Sequence, residues 1–404
     1  MLFKLAWRNI WRKKWRTVIT MGIVFIAVIL STLMSAFKEG SYEGMIESMV
    51  GSFTGYAQIH SKGYWEEKSI DNLLRVDDAL KSTLEAEPKL KGFVQRLESF
   101  ALAATDDQTR GAMVVGIQPE LEDHYSQLSE RVVEGEFLAA NDQGILVGKG
   151  LAKHLKVALG DTLVLFGQGY HGSTAAGKYP IRGIIKYGNP ELSKQLVFLP
   201  LALAQQLYGT EGQVSNIILQ FHEPEDAFEV VKALKENLSG QYEVMDWLEL
   251  VPDLINMIET DRVEGWVFMF ILYVVISFGM FGTMLMMLAE RRQESGVLVA
   301  IGMKRGKLAI MVWVEMMSIS LLGALVGMLG AFPVVFYFHI FPIEFGEELA
   351  KMMEEYGMEA VLRTSIDSGI FIRQTIIVSI IASIIAIYPL IKLTRLNAIK
   401  AMRK

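Results

Sequence analysis

Hydrophobic positions in this chain gather into four long runs, with polar positions confined to the segments between them. Residues 18–37 (VITMGIVFIAVILSTLMSAF), 266–288 (WVFMFILYVVISFGMFGTMLMML) and 374–391 contain no charged side chain, and residues 308–338 contain one, Glu315. About 20 apolar residues in a helix cover the hydrocarbon core of a bilayer, so all four runs predict membrane-spanning helices. The fourth draws in Gly369 to Arg373, with Arg373 reaching back to the membrane surface. The first run is too long for a signal-peptide core and no small-x-small pair follows it, so it predicts a permanent anchor.

Between the first two runs the pattern changes to short alternating segments broken by Gly, Pro, Asn and Asp. Strands are predicted over 54–60, 111–117, 144–148, 162–166, 180–187, 195–199 and 214–221, and helices over 71–86, 148–156, 200–208 and 224–238. From Trp247 to Ile258 the apolar positions 247, 250, 251, 254, 255 and 258 share one helical face. Nothing but Gly265 interrupts the path from there into the second run, which predicts one helix over about 250–293 acting as a stalk.

Charge orients the chain. Residues 1–17 hold six basic groups and no acid, 289–307 hold five against two, and the tail from Lys392 holds five against none. Residues 38–265 hold 20 basic and 35 acidic groups, and 339–369 hold two and seven. Basic segments stay on the cytoplasmic side. The expected fold class is an α-helical membrane protein with four transmembrane helices in 1+3 order, plus a mixed α/β extracytoplasmic domain between helices 1 and 2. Its parts are a cytoplasmic amphipathic helix (1–17), helix 1 (18–37), the outer domain with its stalks (38–265), helix 2 (266–288), a cytoplasmic segment (289–307), helix 3 (308–338), an outer loop (339–369), helix 4 (370–391) and a cytoplasmic tail (392–404). In 1–17, residues Phe3, Trp7, Trp11 and Trp15 recur every four positions among basic groups, as in a helix lying on an anionic leaflet.

Candidate chemistry is sparse. There is no cysteine, which removes disulfides, thiolate metal sites and thiol catalysis together. The six histidines are scattered without metal-ligand spacing, so no metal is expected. The closest approach to a phosphate loop, GILVGKG at 144–150, lacks the spacing and the Ser or Thr after lysine. No catalytic residue is assigned, and a net-negative outer domain argues against nucleic acid. Glu315 inside a span predicts a paired carboxylate, and Gly323, Gly327 and Gly330 predict close helix packing.

The segment after helix 2 is the most distinctive. It reads LAERRQESGVLVAIGMKRGKL over 288–308, charged first, then apolar, then turned by glycine. Glu290, Arg291, Glu294, Gly296, Val297, Leu298, Ala300 and Gly302 resemble the ERxxEhGhLxAhG pattern of ABC-transporter permeases of the LolC/LolE–MacB–FtsX family. FGMFGTMLM (278–286), QIHSKGYW (58–65), VVGIQPELE (114–122), LVGKGLAKHLKVALGD (146–161), DWLELVPDL (246–254) and the closing YPLIKLTRLNAIKAMRK resemble its lipoprotein-releasing branch. Gly282 stands where that branch usually has asparagine, and Ala398 where proline is frequent.

The resemblance covers essentially the whole chain. It implies a non-catalytic permease, paired with a second copy or a homologue, driven by two separate ATPase subunits that carry the ATP and Mg. The 289–307 segment would be the coupling helix. Glu290, Arg291, Arg292 and Glu294 would make polar contacts with the ATPase, and Val297, Leu298, Val299 and Ile301 an apolar docking face. A loop at 167–179 (GQGYHGSTAAGKY), with Tyr170, His171 and Tyr179 exposed at a glycine-rich tip, would meet a soluble chaperone or adaptor. At the outer ends of helices 1 and 2, Leu33, Met34, Phe37, Phe268, Met269, Ile271 and Leu272 offer an adaptable apolar wall for acyl chains. The expected function is relay of ATPase motion to the outer domain for lipoprotein release from the bacterial inner membrane. Efflux of drugs, peptides or siderophores, and signalling to an extracytoplasmic enzyme, are the alternatives.

Overall fold

The computed structural model describes residues 14–187, 190–238, 240–290, 292–346, 348–350, 352 and 361–395. The amphipathic helix expected at 1–17 lies outside them up to Lys13, and the tail from Leu396 onward lies outside them as well. Two compact units divide the chain, one of residues 1–43, 257–344 and 361–404, the other of residues 44–256 and 345–360.

The first unit is a helix bundle. Its four long helices are Lys14–Ile46, Pro252–Glu290, Arg305–Ile340 and Ser368–Ile385, the last continued by Ile387–Thr394 after a break at Ala386. All four are long and apolar enough to cross a membrane. Glycine brings the first and third together. A Cβ added at Gly323 would lie 2.9 Å from the Val24 Cβ, and one at Gly327 would lie 2.9 Å from the Val28 Cβ and 3.0 Å from the Phe25 carbonyl. The small face is therefore a packing face, where backbones approach because nothing projects between them. Val24, Val28, Ile276, Met280, Ala324, Val378 and Ala382 bring all four helices into one cluster. A second, methionine-rich cluster (Met284, Met287, Met311, Met316) fills the end where the second and third long helices are joined, and Glu315 is buried on the third helix.

The second unit is built on a 10-stranded sheet. Its strands lie among β1 (57–61), β2 (74–75), β3 (90–104), β4 (109–117), β5 (132–135), β6 (145–148), β7 (162–168), β8 (174–185), β9 (196–200), β10 (213–214), β11 (216–221) and β12 (242–246), with β2 and β10 forming a separate pair. One half runs β12–β1–β11–β3, all antiparallel. Helix Ala227–Asn237 buries Ala227, Val230, Val231 and Leu234, the i, i+3, i+4, i+7 face that the sequence pattern supplies. Val230, Val231 and Leu234 meet Ile59, Ile217, Leu219, Leu80 and Leu84 in one core.

β3 belongs to both halves. Its first residues pair β11 and its later ones pair β4, and at Leu102–Ala104 it also pairs β7. Because β4 pairs β9, β9 pairs β6, β6 pairs β8 and β8 pairs β7, six strands close into a ring. Leu97, Val114, Val147, Leu163, Leu165, Tyr179, Ile181 and Val197 share one buried cluster there with Leu203, Leu207 and Tyr208 from the helix Leu201–Tyr208.

The ends of the inserted chain are held by polar groups. The helix Lys14–Ile46 passes into an eight-residue π-helix, Glu47–Thr54. Arg96, fully buried, grips Glu122 with two hydrogen bonds of 2.9 and 2.6 Å, and its third nitrogen donates to the Phe53 carbonyl at 2.6 Å. Arg131 donates to the Ser52 hydroxyl at 2.8 Å. The returning end carries a capping box: Asp246 accepts from Leu248 and Glu249, and Glu249 reaches back to the Asp246 amide. The stalk helix expected over about 250–293 is present as one helix, Pro252–Glu290, and only the turn before it stands apart. Trp247–Leu250 forms a single turn, Val251 leaves helical geometry, and Pro252 opens the 39-residue helix, where its missing N–H costs nothing.

Candidate functional site

The segment joining the second and third long helices folds as a nine-residue helix, Arg292–Ala300. The chain leaves it through Gly302, whose φ of +108° suits glycine alone, with the Met303 amide donating to Leu298 O at 3.0 Å. The helix has two distinct faces. Ser295 and Gly296 are buried, and Leu298, Val299 and Met303 pack against Met284, Met287, Leu308 and Val312. Gln293, Val297, Ala300 and Ile301 are exposed, Ile301 at 79%, and their spacing puts them on one side.

This corrects the expected apolar docking face. Leu298 and Val299 are anchors to the bundle, while Val297 and Ile301 project. Glu290 is exposed and Glu294 half-buried. Arg291 lies outside the described residues, as does the side chain of Arg292.

The seven residues expected to form an acyl-chain wall do not form one surface. Met34 and Met269 line one cavity of about 220 Å³, together with Trp266, Gly265, Arg373 and Gln374. Leu33 instead packs toward Ala331 and Val335, the Phe37 ring sits 5.5 Å from that of Phe338, and Leu272 joins the four-helix cluster. Phe268 and Ile271 are exposed on the bundle's outside. The periodicity of a membrane helix is too weakly amphipathic to separate those directions from sequence.

What the sequence reading missed is that the cavity's rim is charged. Lys38, Glu39, Tyr42 and Arg262 line it as well. A signal was present: the doublet Lys38-Glu39 follows the first run, and Asp261-Arg262 stands just before the second.

The expected partner loop is mostly strand. Residues 162–168 and 174–185 form a β7–β8 hairpin, paired from Thr162↔Pro180 to Gln168↔Thr174. Only 169–173 turn. His171 is exposed at that tip with φ +51°, its amide donating to Asp71 at 2.6 Å, and the Tyr170 ring lies 3.9 Å from its own. Tyr179, expected at the surface, is 9% exposed and belongs to the ring's core, because it falls on the inward alternation of β8. Among the described residues no three His, Asp or Glu side chains gather as a metal site would need.

Two family descriptions account for most of the chain. Residues 17–237 match the MacB-like periplasmic core domain, and residues 266–398 match the FtsX-like permease C-terminal domain. The chain belongs to the LolC/MacB/FtsX family of ABC-transporter permeases.

Among its relatives, the lipoprotein-releasing system transmembrane protein LolC of Xylella fastidiosa is 23% identical, aligned over 78% of each chain. LolC of Neisseria meningitidis is 24% identical over 60% of this chain and 59% of its own. LolE of Haemophilus influenzae is 20% identical over 61% of each. Of solved structures, the periplasmic region of MacB from Actinobacillus actinomycetemcomitans is 11% identical, covering 52% of this chain and 95% of that one with a TM-score of 0.34. The extracellular domain of YknZ from Gram-positive bacteria is 14% identical, covering 47% and 98% with a TM-score of 0.33. This permease is thus a multi-pass membrane protein whose large domain lies between its first and second spans.

Proposed function

We propose that this permease works with a separate ATPase and a second permease subunit, and that its cargo is a lipoprotein leaving the membrane. The observation that carries the coupling half is the division of the helix Arg292–Ala300 into a face packed on the bundle and a face presenting Val297, Ala300 and Ile301. A helix fixed on one side to the second and third spans and apolar on the other is suited to receive a push and pass it on. Glu290 and Glu294 add polar contacts beside that face. The cargo half is supported by relatives named for lipoprotein release. Met34 and Met269 around one cavity add an adaptable apolar lining of the kind that acyl chains of varied length need. The hairpin tip at Tyr170 and His171 is the proposed contact with a soluble chaperone. ATP and Mg belong to the ATPase.

The test is co-expression with the cognate ATPase. Val297→Asp with Ile301→Asp places two carboxylates on the exposed face without touching the anchors. Co-purification of the ATPase should fall at least about tenfold, as loss of a small apolar hot spot would give. Retained ATPase with a normal melting temperature would remove the docking assignment. In the same preparations, Met34→Glu with Met269→Glu should abolish lipoprotein co-purification and leave the ATPase bound. Undiminished lipoprotein there would turn the cargo reading toward efflux.

A further inference from the structure

Beside the cavity lined by Met34 and Met269, the first and second helices are joined by a set of charged contacts with a particular order. Lys38 Nζ lies 3.0 Å from Asp261 Oδ2 and donates to the Asp261 carbonyl at 3.0 Å. Its neighbour in sequence bears the opposite sign and takes the opposite partner: Glu39 accepts from Arg262 Nη2 at 2.7 Å. Tyr42, one turn further, donates its hydroxyl to Asp261 at 2.5 Å, and its ring carries the Arg262 guanidinium at 5.2 Å. Space has been left for this. A Cβ at Gly265 would come within 2.4 Å of Lys38 Nζ, so glycine at that position is what lets the lysine cross the second helix.

We propose that these two crossed ion pairs are a releasable clasp that holds the cavity shut, independently of what the cavity admits. Three features of the contact support it. Successive residues of a helix are about 100° apart around its axis. Turning the first helix by one residue would therefore bring Glu39 into the place of Lys38, facing the like-charged Asp261, so the pairing is specific to one rotational setting. The side chains are a quarter to a half exposed, at 25% and 47% for Lys38 and Asp261 and 51% and 31% for Arg262 and Glu39. Pairs so exposed hold weakly and part without stranding a buried charge. Finally, Lys38, Glu39, Tyr42 and Arg262 themselves form part of the cavity's lining, so parting them widens it directly.

The full-length chain offers a clean test, because it has no native cysteine. Met269→Cys puts a thiol at a position 7% exposed in the cavity wall. Its labelling rate by a charged, membrane-impermeant maleimide is read in lipid nanodiscs. Glu39→Gln with Asp261→Asn should raise that rate roughly three- to tenfold, the range expected for losing two surface ion pairs. Raised salt should speed labelling in the paired protein and leave the neutral variant unchanged. Glu39→Arg with Arg262→Glu restores one pair with its charges exchanged, and should return the rate to the slow value. Equal rates in the paired and neutral proteins would overturn the clasp. So would a charge-exchanged variant that melts normally but labels fast.

Discussion

Arg96 sits at the point where the chain arriving from the first span joins the large domain, and its environment makes it intolerant of half-measures. It and Glu122 are both fully buried, and one of its nitrogens satisfies the Phe53 carbonyl at the end of the π-helix. Removing one partner of such a pair strands the other charge, at a cost of roughly 3–5 kcal/mol. Arg96→Met should therefore lower resistance of the full-length chain to urea-pulse proteolysis by that amount, while Arg96→Met with Glu122→Leu should recover most of it. His60 is a second residue with a measurable signature. It lies buried between β11 and the rings of Tyr64 and Trp65, with Nδ1 3.1 Å from the Ser215 carbonyl. Burial holds its pKa down at about 4. An unfolded histidine titrates near pH 6.5, so the unfolded chain takes up a proton first as pH falls. The folded state keeps its full stability above about pH 6.5 and loses it progressively down to about pH 4. At pH 5 the loss is roughly 2 kcal/mol. Melting curves at pH 7.5 and pH 5 should diverge by less in His60→Gln than in the native chain, and an unchanged divergence would mean that other groups set the acid limit.

At the scale of elements, the packing of the first and third membrane helices rests on Gly323 and Gly327. Gly327→Leu forces a side chain where a Cβ alone would lie 2.9 Å from Val28, and overpacking of this kind costs about 1–3 kcal/mol. The melting temperature in detergent should drop, and a leucine tolerated there would show that the two helices separate freely. That stripe was readable in the sequence because small residues at four-residue spacing have few other uses in a span. β7 and β9 were readable for a different reason, as short apolar runs, TLVLF and LVFLP, of strand length. β3 was not. It reads LKGFVQRLESFALAA, with Lys91, Gly92, Arg96 and Glu98 breaking any apolar period, because it changes partners midway and buries a charge whose two strongest hydrogen bonds to a carboxylate go to Glu122, distant in sequence. The hairpin tip was overestimated for a complementary reason: glycines at 167, 169, 172 and 177 suggest a long loop, yet only Gly172 has positive φ and the others sit close against neighbours within or beside strands. In the candidate site, the turn at Gly302 and the charged-then-apolar order of the segment 289–307 were visible. Which of its apolar residues point outward was not, since that depends on where the second and third spans lie.

For the whole molecule, the four spans and the position of the large domain followed from hydropathy, because a bilayer leaves a helix few alternatives. The closed ring of strands had no such local signature, since it depends on β3 meeting β7 some 60 residues later. That topology also sets an order of events during synthesis. The six ring strands all lie within residues 90–200, so the ring can close before the rest of the domain has been made. β1 cannot. It is among the first strands to emerge, yet its two neighbours are β11 and β12, which end at Phe221 and Asp246. Its edges stay unpaired until nearly the entire insert has been made, six residues before the helix Pro252–Glu290 begins. Strands left waiting for distant partners are exposed to misassociation. Nascent chains arrested near residue 230 should therefore show a protease-resistant fragment spanning the ring but cleavage at 55–65, and resistance at both sites should appear together only once residue 246 is free of the translocation channel. The last strand of the domain would then be the one that makes its first strand safe.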